Sequence, residues 1–327
     1  MGAAEGRADG QLGLVAPAGG GPRDHQGGEH GDPGDTILLC TPCYPAYLGV
    51  AALAHVRVIE VPLLAANDFR PDLAAIPEDE ARRAKVIFLN FPNNPTGGTE
   101  TAEMYDEVLA YARKHDLFVV SDIAYCDLPL DPSYRARSFL QHDRDKERTL
   151  EFHSFSKSYS MQGWRLGFAA GNADIVANLT RIKSNMDFGV FMAIQRAGLA
   201  VLNGPQDYCS DAAALYRRRG QAFLDALAPA SPTFGLPRAT LYLWMPLPTG
   251  FTDSLAFTAE LLDRTGVVVS PGSGFGNAGE GYVRIALEAL QAALVDPKVQ
   301  NHRYPSFNGV PEFRAAVSGW YDRRIGV

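Results

Sequence analysis

Short apolar runs alternate with amphipathic stretches between residues 35 and 200. Residues 101–115 are predicted to form a helix because Met104, Val108 and Ala112 recur at helical spacing on one side. Short apolar strands separated by helices indicate an α/β architecture, in which a mostly parallel sheet is sandwiched by helices. The strands predicted here cover residues 36–40, 85–90, 117–121, 150–155 and 166–170.

The pattern changes after about residue 200 to that of a smaller α+β domain. A long helix (about 205–228) and a second helix (253–265) are predicted there, with strands at 240–245, 267–269 and 282–286. Residues 310–325 also show helical spacing of Phe313, Val317 and Trp320. The predicted organisation is a glycine-rich irregular segment (1–34), a large domain (35–200), a small domain (201–288) and a final segment (289–327).

Composition narrows the class of protein. Of the 327 residues, 46% are hydrophobic and 20% are charged, as in an ordinary globular protein. The net charge of −7 argues against nucleic acid or an anionic membrane as a partner. No apolar stretch approaches the roughly 18–20 residues of a membrane span, and the N-terminus lacks a signal-peptide pattern, so a cytoplasmic location is expected. Cys40 and Cys43 form a CxxC without a second one, which favours reduced thiols over a metal site.

Three polar clusters follow predicted strands, where ligands bind in open α/β sheets. The first is NFPNNPTG at residues 90–97, which is either an ordinary loop or a turn that projects an amide toward a ligand. The second is DIAY at 122–125, in which Asp122 is either a structural acid or a site carboxylate. The third is SFSKSYSMQGWRLG at 154–167, where hydroxyl groups and Arg165 surround Lys157. Hydroxyls with an arginine suit a phosphate dianion, and the lysine suits a Schiff base.

In this order and spacing, the clusters resemble the fold-type I aminotransferases of class I/II, which depend on pyridoxal 5′-phosphate (PLP). The stretches FLNFPNNPTG, FHSFSKSYSMQGWRLGFAAGN and SPGSGFG look most like the LL-diaminopimelate aminotransferase branch. The resemblance implies a PLP transferase fold with a mostly parallel sheet and a smaller α+β domain. It covers roughly residues 32–327, although not in the family's usual order.

The resemblance also assigns roles to single residues. Lys157 would hold PLP as the internal aldimine and shuttle the proton between the substrate α-carbon and the cofactor, and Asp122 would pair with the pyridine nitrogen. Tyr44 would stack on the ring. Arg284, in GYVRIAL, would clamp the substrate α-carboxylate; otherwise it is a surface arginine on a strand. The remaining cofactor contacts would be Asn94 and Tyr125 at the phenolic oxygen, and Ser154, Ser156 and Arg165 at the phosphate.

The chain departs from the family pattern at both ends. Residues 289–327 resemble a stretch that the family carries near its N-terminus, which indicates a circular permutation without the usual N-terminal arm. There Tyr304 matches a tyrosine that reaches the cofactor phosphate of the neighbouring subunit, so a homodimer with shared active sites is expected unless Tyr304 packs locally. The residues before Asp32, APAGGGPRDHQGGEHG, match no phosphate-binding turn, and we expect weaker PLP binding as a result.

The favoured hypothesis is an aminotransferase that moves an amino group between an amino acid, LL-diaminopimelate-like or otherwise dicarboxylic or large, and a 2-oxo acid. A PLP-dependent C–S lyase would use the same lysine, aspartate and arginine, so the sequence leaves it open. A rearranged, inactive family member is the third interpretation, because the residues before Asp35 are aberrant.

Overall fold

The structure, a computed structural model, describes residues 34–230 and 233–287. Its centre is a six-stranded sheet in the order β2-β1-β3-β4-β5-β6, in which all neighbours run parallel except β5 and β6. This confirms the predicted mostly parallel sheet. The strands are β1 (Thr36–Thr41), β2 (Arg57–Pro62), β3 (Ala84–Asn90), β4 (Phe118–Asp122), β5 (Thr149–Ser154) and β6 (Gly167–Gly171).

Helices pack on both faces of this sheet. Alternate side chains of β1 point to opposite faces, so Ile37 packs with Tyr47 on one face and Leu38 with Val108 on the other. The five helices that follow or connect these strands as far as β6 are α1 (Pro45–Leu53), α2 (Glu78–Arg83), α3 (Ala102–His115), α4 (Phe155–Ser158) and α5 (Ala173–Met186). The remaining three in the described ranges are α6 (Met192–Asn203), α7 (Asp207–Leu227) and α8 (Ser254–Thr265).

A second, antiparallel sheet has the order β7-β9-β8. Its strands are β7 (Tyr242–Pro246), β8 (Ser270–Pro271) and β9 (Tyr282–Ala286). Leu241 and Leu243 pack against Leu128 and Leu130, which follow β4, so one apolar cluster joins the two sheets. The predicted small α+β unit is therefore present, although its exact boundaries stay a prediction.

The predicted strand at 267–269 is wrong. Val267 and Val268 are 49% and 77% exposed, and the strand that pairs with β9 begins at Ser270. Three consecutive valines favour an extended chain by propensity, but propensity alone does not give Val267 and Val268 a surface to pack against.

Several predictions concern residues outside the described ranges. These are the irregular N-terminal segment up to residue 33, the helix at 310–325, the circular permutation and the position of Tyr304. Within residues 34–230 and 233–287, no helix has the length and apolar character that crossing a membrane requires.

Candidate active site

The carboxyl ends of β3, β4 and β5 meet at one edge of the large sheet. Asn90, the last residue of β3, pairs in register with Asp122, the last residue of β4. Asp122 in turn pairs with Phe152, two residues before Ser154 ends β5. The three polar clusters predicted from the sequence therefore come together, because parallel neighbouring strands end on the same side.

Asp122 is a buried carboxylate with specific hydrogen-bond donors. Its Oδ2 accepts a hydrogen bond of 2.6 Å from the hydroxyl of Tyr47, and its Oδ1 accepts one of 3.0 Å from the backbone N–H of Ala124. Burial, together with the charge of Asp122, raises the pKa of Tyr47 well above its ordinary value. The phenol therefore remains a donor throughout the physiological pH range.

Tyr47 is a site residue that the sequence prediction missed. Its ring lies 4.4 Å from Phe88 of β3, centroid to centroid, and meets Tyr44 edge-on at 5.6 Å. Tyr44, the residue predicted to stack on a cofactor ring, immediately precedes α1, and Pro45 begins that helix. The spacing of three residues was a usable signal, since it places both tyrosines on one side of the first turn.

The loop after β3 links Asp122 to the small sheet. Asn90 Nδ2 donates to the carbonyl oxygen of Asp122 (2.9 Å), and Asn90 Oδ1 accepts from the backbone N–H of Asn94 (2.9 Å). Asn94 Oδ1 then accepts a hydrogen bond of 2.9 Å from Arg284 Nη1 on β9. Asn94 and Arg284, which are 190 residues apart in sequence, therefore belong to one site.

Aromatic rings hold Arg284 from two sides. Its guanidinium carbon lies 4.2 Å from the ring centroid of Tyr242 and 4.7 Å from that of Phe275. Its Nη2 lies 3.4 Å from Ser270 Oγ on β8. The structure thus places Arg284 between the sheets rather than on an open strand surface. Its hydrogen bonds to Asn94 and Ser270 both end on neutral oxygens, so the described residues leave its positive charge available to an anion.

Lys157 lies in α4, directly after β5, and is 7% exposed. Its Nζ is 6.0 Å from the ring centroid of Tyr125, whose hydroxyl lies 3.5 Å from that of Tyr242. Ser158 Oγ donates to Asp127 (2.6 Å), which ties α4 to the segment that carries Tyr125. These contacts place a buried primary amine beside a buried phenol at the sheet edge.

Three residues were predicted to bind a phosphate. Ser154 precedes this short helix, Ser156 lies in it and Arg165 follows it. Ser154 Oγ accepts from the backbone N–H of Ser156 (3.1 Å), so it caps α4. Ser156 is fully buried, and its Oγ has no hydrogen-bond partner within the described part of the chain. Arg165 has a left-handed backbone (φ 55°) and donates from Nη1 to the carbonyl of Gln162 (3.0 Å). Tyr304, the remaining predicted contact, lies outside the described residues.

Residues 34–230 and 233–287 contain no group of three or more His, Cys, Asp or Glu side chains that could hold a metal ion. Cys40 and Cys43 are buried and form no disulfide. Burial raises the pKa of the Cys40 thiol to about 12, and the pKa of Cys43 is raised by burial and by the neighbouring Cys40. Both thiols are therefore protonated and packed as apolar groups.

A mostly parallel sheet with a buried lysine and a buried aspartate at its carboxyl edge, connected through Asn94 to Arg284 of the second sheet, defines an α/β enzyme. The profile of the family described as aminotransferase class I and II matches residues 30–296. The chain belongs to this family, and its fold is that of the fold-type I aminotransferases.

The chain is similar to curated LL-diaminopimelate aminotransferases. It is 46% identical over 265 residues to the one from Desulforudis audaxviator, which covers 81% of this chain and 67% of the relative. It is also 46% identical over 267 residues to the one from Moorella thermoacetica, covering 80% and 68%. The chain therefore spans about two thirds of the length of these relatives.

Solved structures resemble the described fold at similar coverage. The probable N-succinyldiaminopimelate aminotransferase from Thermus thermophilus matches with a TM-score of 0.73 and 41% identity, over 80% of this chain and 70% of that one. Substrate-bound BacF from Bacillus subtilis matches with a TM-score of 0.75 and 33% identity, over 78% and 65%.

Proposed function

We propose that this chain is a PLP-dependent aminotransferase that moves the amino group of a dicarboxylic amino acid, with LL-diaminopimelate as the first candidate, to a 2-oxo acid. The 46% identity to LL-diaminopimelate aminotransferases supports the choice of substrate. The observation that carries the proposal is the connected set of side chains at the sheet edge. It runs from Asp122 through Asn90 and Asn94 to Arg284, with the buried Lys157 beside Tyr125.

The residues present fit PLP. A phosphate needs several donors, and the buried Ser156 hydroxyl without a partner among the described residues, the Ser154 hydroxyl and the Arg165 guanidinium supply them. An aldehyde needs a primary amine, which Lys157 provides, and a pyridine nitrogen needs a carboxylate, which Asp122 provides. The ring contacts come from Asn94 and Tyr125, which offer an amide and a phenol for the ring oxygen, and from Tyr44, which offers an aromatic face.

When bound, PLP supplies an electron-withdrawing ring and a carbonyl carbon that takes up and releases the amino group. The protein supplies orientation and proton transfer. Lys157 would hold the cofactor through Nζ and would move a proton at the substrate α-carbon, a role worth roughly 10²–10⁴-fold in rate. Asp122, whose carboxylate is positioned by Tyr47 and the Ala124 N–H, would pair with the ring nitrogen.

Arg284 and Asn94 orient the substrate. The two rings that hold the guanidinium, and the bond to Asn94 Oδ1, fix its position before a ligand arrives. A preorganised guanidinium binds a carboxylate through two parallel hydrogen bonds. We therefore assign the substrate α-carboxylate to Arg284.

We also propose that the enzyme works in the cytoplasm as a homodimer. Amino-acid and 2-oxo-acid substrates are its small-molecule partners, and Tyr304 from the neighbouring subunit would contact the cofactor phosphate. The lack of disulfides among the four cysteines, all within the described ranges, supports a reducing compartment.

Absorption spectroscopy of the full chain with added PLP tests the cofactor assignment. We expect a new absorption band that borohydride reduction fixes covalently to the protein in the wild type. Lys157→Ala should lose this fixation. Lys114→Ala is the matched control, because Lys114 lies on the surface and pairs with Glu78. Equal fixation in the Lys157→Ala variant would refute the role of Lys157.

Turnover assays distinguish an aminotransferase from a C–S lyase. Incubation with LL-diaminopimelate and 2-oxoglutarate should give glutamate only when both substrates are present. If another dicarboxylic amino acid transfers its amino group faster than LL-diaminopimelate does, that amino acid replaces LL-diaminopimelate as the assigned substrate. Release of a thiol and pyruvate from a cysteine conjugate, without a 2-oxo acid, would favour the C–S lyase reaction instead.

A further inference from the structure

Two buried N–H groups on neighbouring strands have no acceptor within the described part of the chain. They are Nε1 of the Trp244 indole and Nε of the Arg284 guanidinium. Trp244 on β7 lies directly opposite Arg284 on β9, so the two side chains rise from the same face of the small sheet. Trp244 is 6% exposed. Buried donors in folded proteins almost always have an acceptor, so the two N–H groups point to an acceptor other than the described protein atoms.

Aromatic packing holds both donors in place. The Trp244 ring stacks on Tyr282 at 5.1 Å with an interplanar angle of 7°, and meets Phe275 edge-on at 5.7 Å. Phe275 also lies against the guanidinium of Arg284, as described above. The indole and the guanidinium therefore both pack against the ring of Phe275. A side chain fixed in this way loses little conformational freedom when a ligand binds.

We propose that Trp244 is a substrate-binding residue, whose indole N–H donates a hydrogen bond to the carboxylate that Arg284 receives. This inference rests on the proposed function and adds a residue to its substrate site. A carboxylate has two oxygens with several lone pairs, so it can accept from the guanidinium and the indole together. The ligand class is the carboxylate of an amino acid or a 2-oxo acid.

The test measures binding of glutarate, a dicarboxylate that has no amino or oxo group and cannot react. Isothermal titration calorimetry of the PLP-loaded chain gives the dissociation constant of glutarate. Trp244→Phe keeps an aromatic ring but removes the N–H, and we expect at least about 10-fold weaker binding, because a hydrogen bond to a charged group is lost. Tyr282→Phe is the matched control. It keeps the ring that stacks on Trp244 and should bind glutarate within about 2-fold of the wild type, below the single-bond contribution.

Indole NMR gives a second readout, which is made on the wild-type protein and uses the variant only to assign the signal. The chain has three tryptophans, and the Trp244 N–H signal is the one that disappears in Trp244→Phe. Glutarate should move this signal downfield in the wild type. The assignment is overturned if Trp244→Phe binds as tightly as the wild type, or if glutarate leaves the signal in place.

The same experiments separate this inference from the proposed function. Loss of glutarate binding in Arg284→Lys, with unchanged binding in Trp244→Phe, would leave the Arg284 assignment standing and remove Trp244. Failure of the wild type to bind glutarate, with borohydride still fixing PLP to Lys157, would overturn Trp244 and leave the cofactor site intact.

Discussion

At the scale of single residues, Tyr47 helps to fix the orientation of the Asp122 carboxylate. Its hydroxyl donates a buried hydrogen bond of 2.6 Å to that carboxylate. Tyr47→Phe removes the donor and keeps the ring that packs on Phe88. Because hydrogen bonds to charged groups contribute about 1.5–3 kcal/mol, we expect PLP affinity to fall about 10-fold or more.

Equilibrium titration with PLP, followed by absorbance, measures this effect. Tyr111→Phe is the control, because the Tyr111 hydroxyl lies on α3 without a hydrogen-bond partner in the described ranges. An unchanged PLP affinity in Tyr47→Phe would show that Asp122 is held well enough without the phenol, for example by the backbone N–H of Ala124.

Cys40 gives a pH prediction. Burial raises its pKa from 9.0 to about 12, so the folded thiol keeps its proton where the unfolded thiol loses it. The stability linked to Cys40 is therefore fully present below pH 9 and is lost as pH rises toward 12, by up to about 1.4 kcal/mol per pH unit.

Urea unfolding of the wild type and of Cys40→Ala across this range measures the linkage. The alanine variant should have the shallower decline in unfolding free energy with pH. Parallel curves for the two proteins would contradict the prediction. The difference between the curves therefore reports the Cys40 thiol together with its effect on the neighbouring Cys43, whose pKa Cys40 raises.

At the scale of elements, the turn Gly272–Phe275 positions the ring of Phe275 beside Arg284. A Cβ at Gly272 would lie 2.0 Å from the carbonyl oxygen of Gly279 and 2.5 Å from that of Tyr282, whereas nothing lies within 4 Å of one at Gly274. Gly272→Ala must therefore push backbone aside, which costs typically about 1–3 kcal/mol.

Thermal unfolding and glutarate titration of the two variants test this role. Gly272→Ala should lower the unfolding free energy by about 1–3 kcal/mol and weaken glutarate binding, while Gly274→Ala should do neither. Equal stability of the two variants would mean that the turn adjusts without strain.

The same scale shows what the sequence could predict. β3 and β4 were predicted to within about one residue at each end, because nearly all their side chains are buried on both faces and read as continuous apolar runs. β2 was missed. It lies at the edge of the sheet, its side chains are mostly half-exposed, and Arg57 and Glu60 interrupt the apolar pattern. α1 was missed because its residues are apolar on most sides and show little periodicity.

At the scale of the whole molecule, the motifs predicted the cluster of Asp122, Asn94 and Lys157, because strand ends meet wherever parallel strands are neighbours. No local pattern could predict the contact of Asn94 with Arg284, which depends on how the two sheets pack. This contact depends on the apolar cluster that joins the two sheets. Tyr125, next to Lys157, is itself a member of that cluster, so the site depends on this packing.

Leu128 tests whether the two sheets unfold together. It is completely buried in the joining cluster, which also contains Leu243 of the small sheet. Leu128→Ala leaves a cavity that both sheets line, so it should lower the unfolding free energy by about 2–5 kcal/mol. Leu255→Ala is the same change at a side chain that is 63% exposed, and it should stay within about 0.5 kcal/mol. Far-UV circular dichroism reports mainly on the large sheet and its helices. With Trp164 and Trp320 replaced by phenylalanine in every protein compared, the remaining fluorescence of Trp244 reports on the small sheet. Coincident urea transitions of both probes, shifted together by Leu128→Ala, are expected because the cluster couples the sheets. If only the fluorescence transition moves, the small sheet unfolds independently, and the site residues contributed by the two sheets are held together by their polar contacts alone.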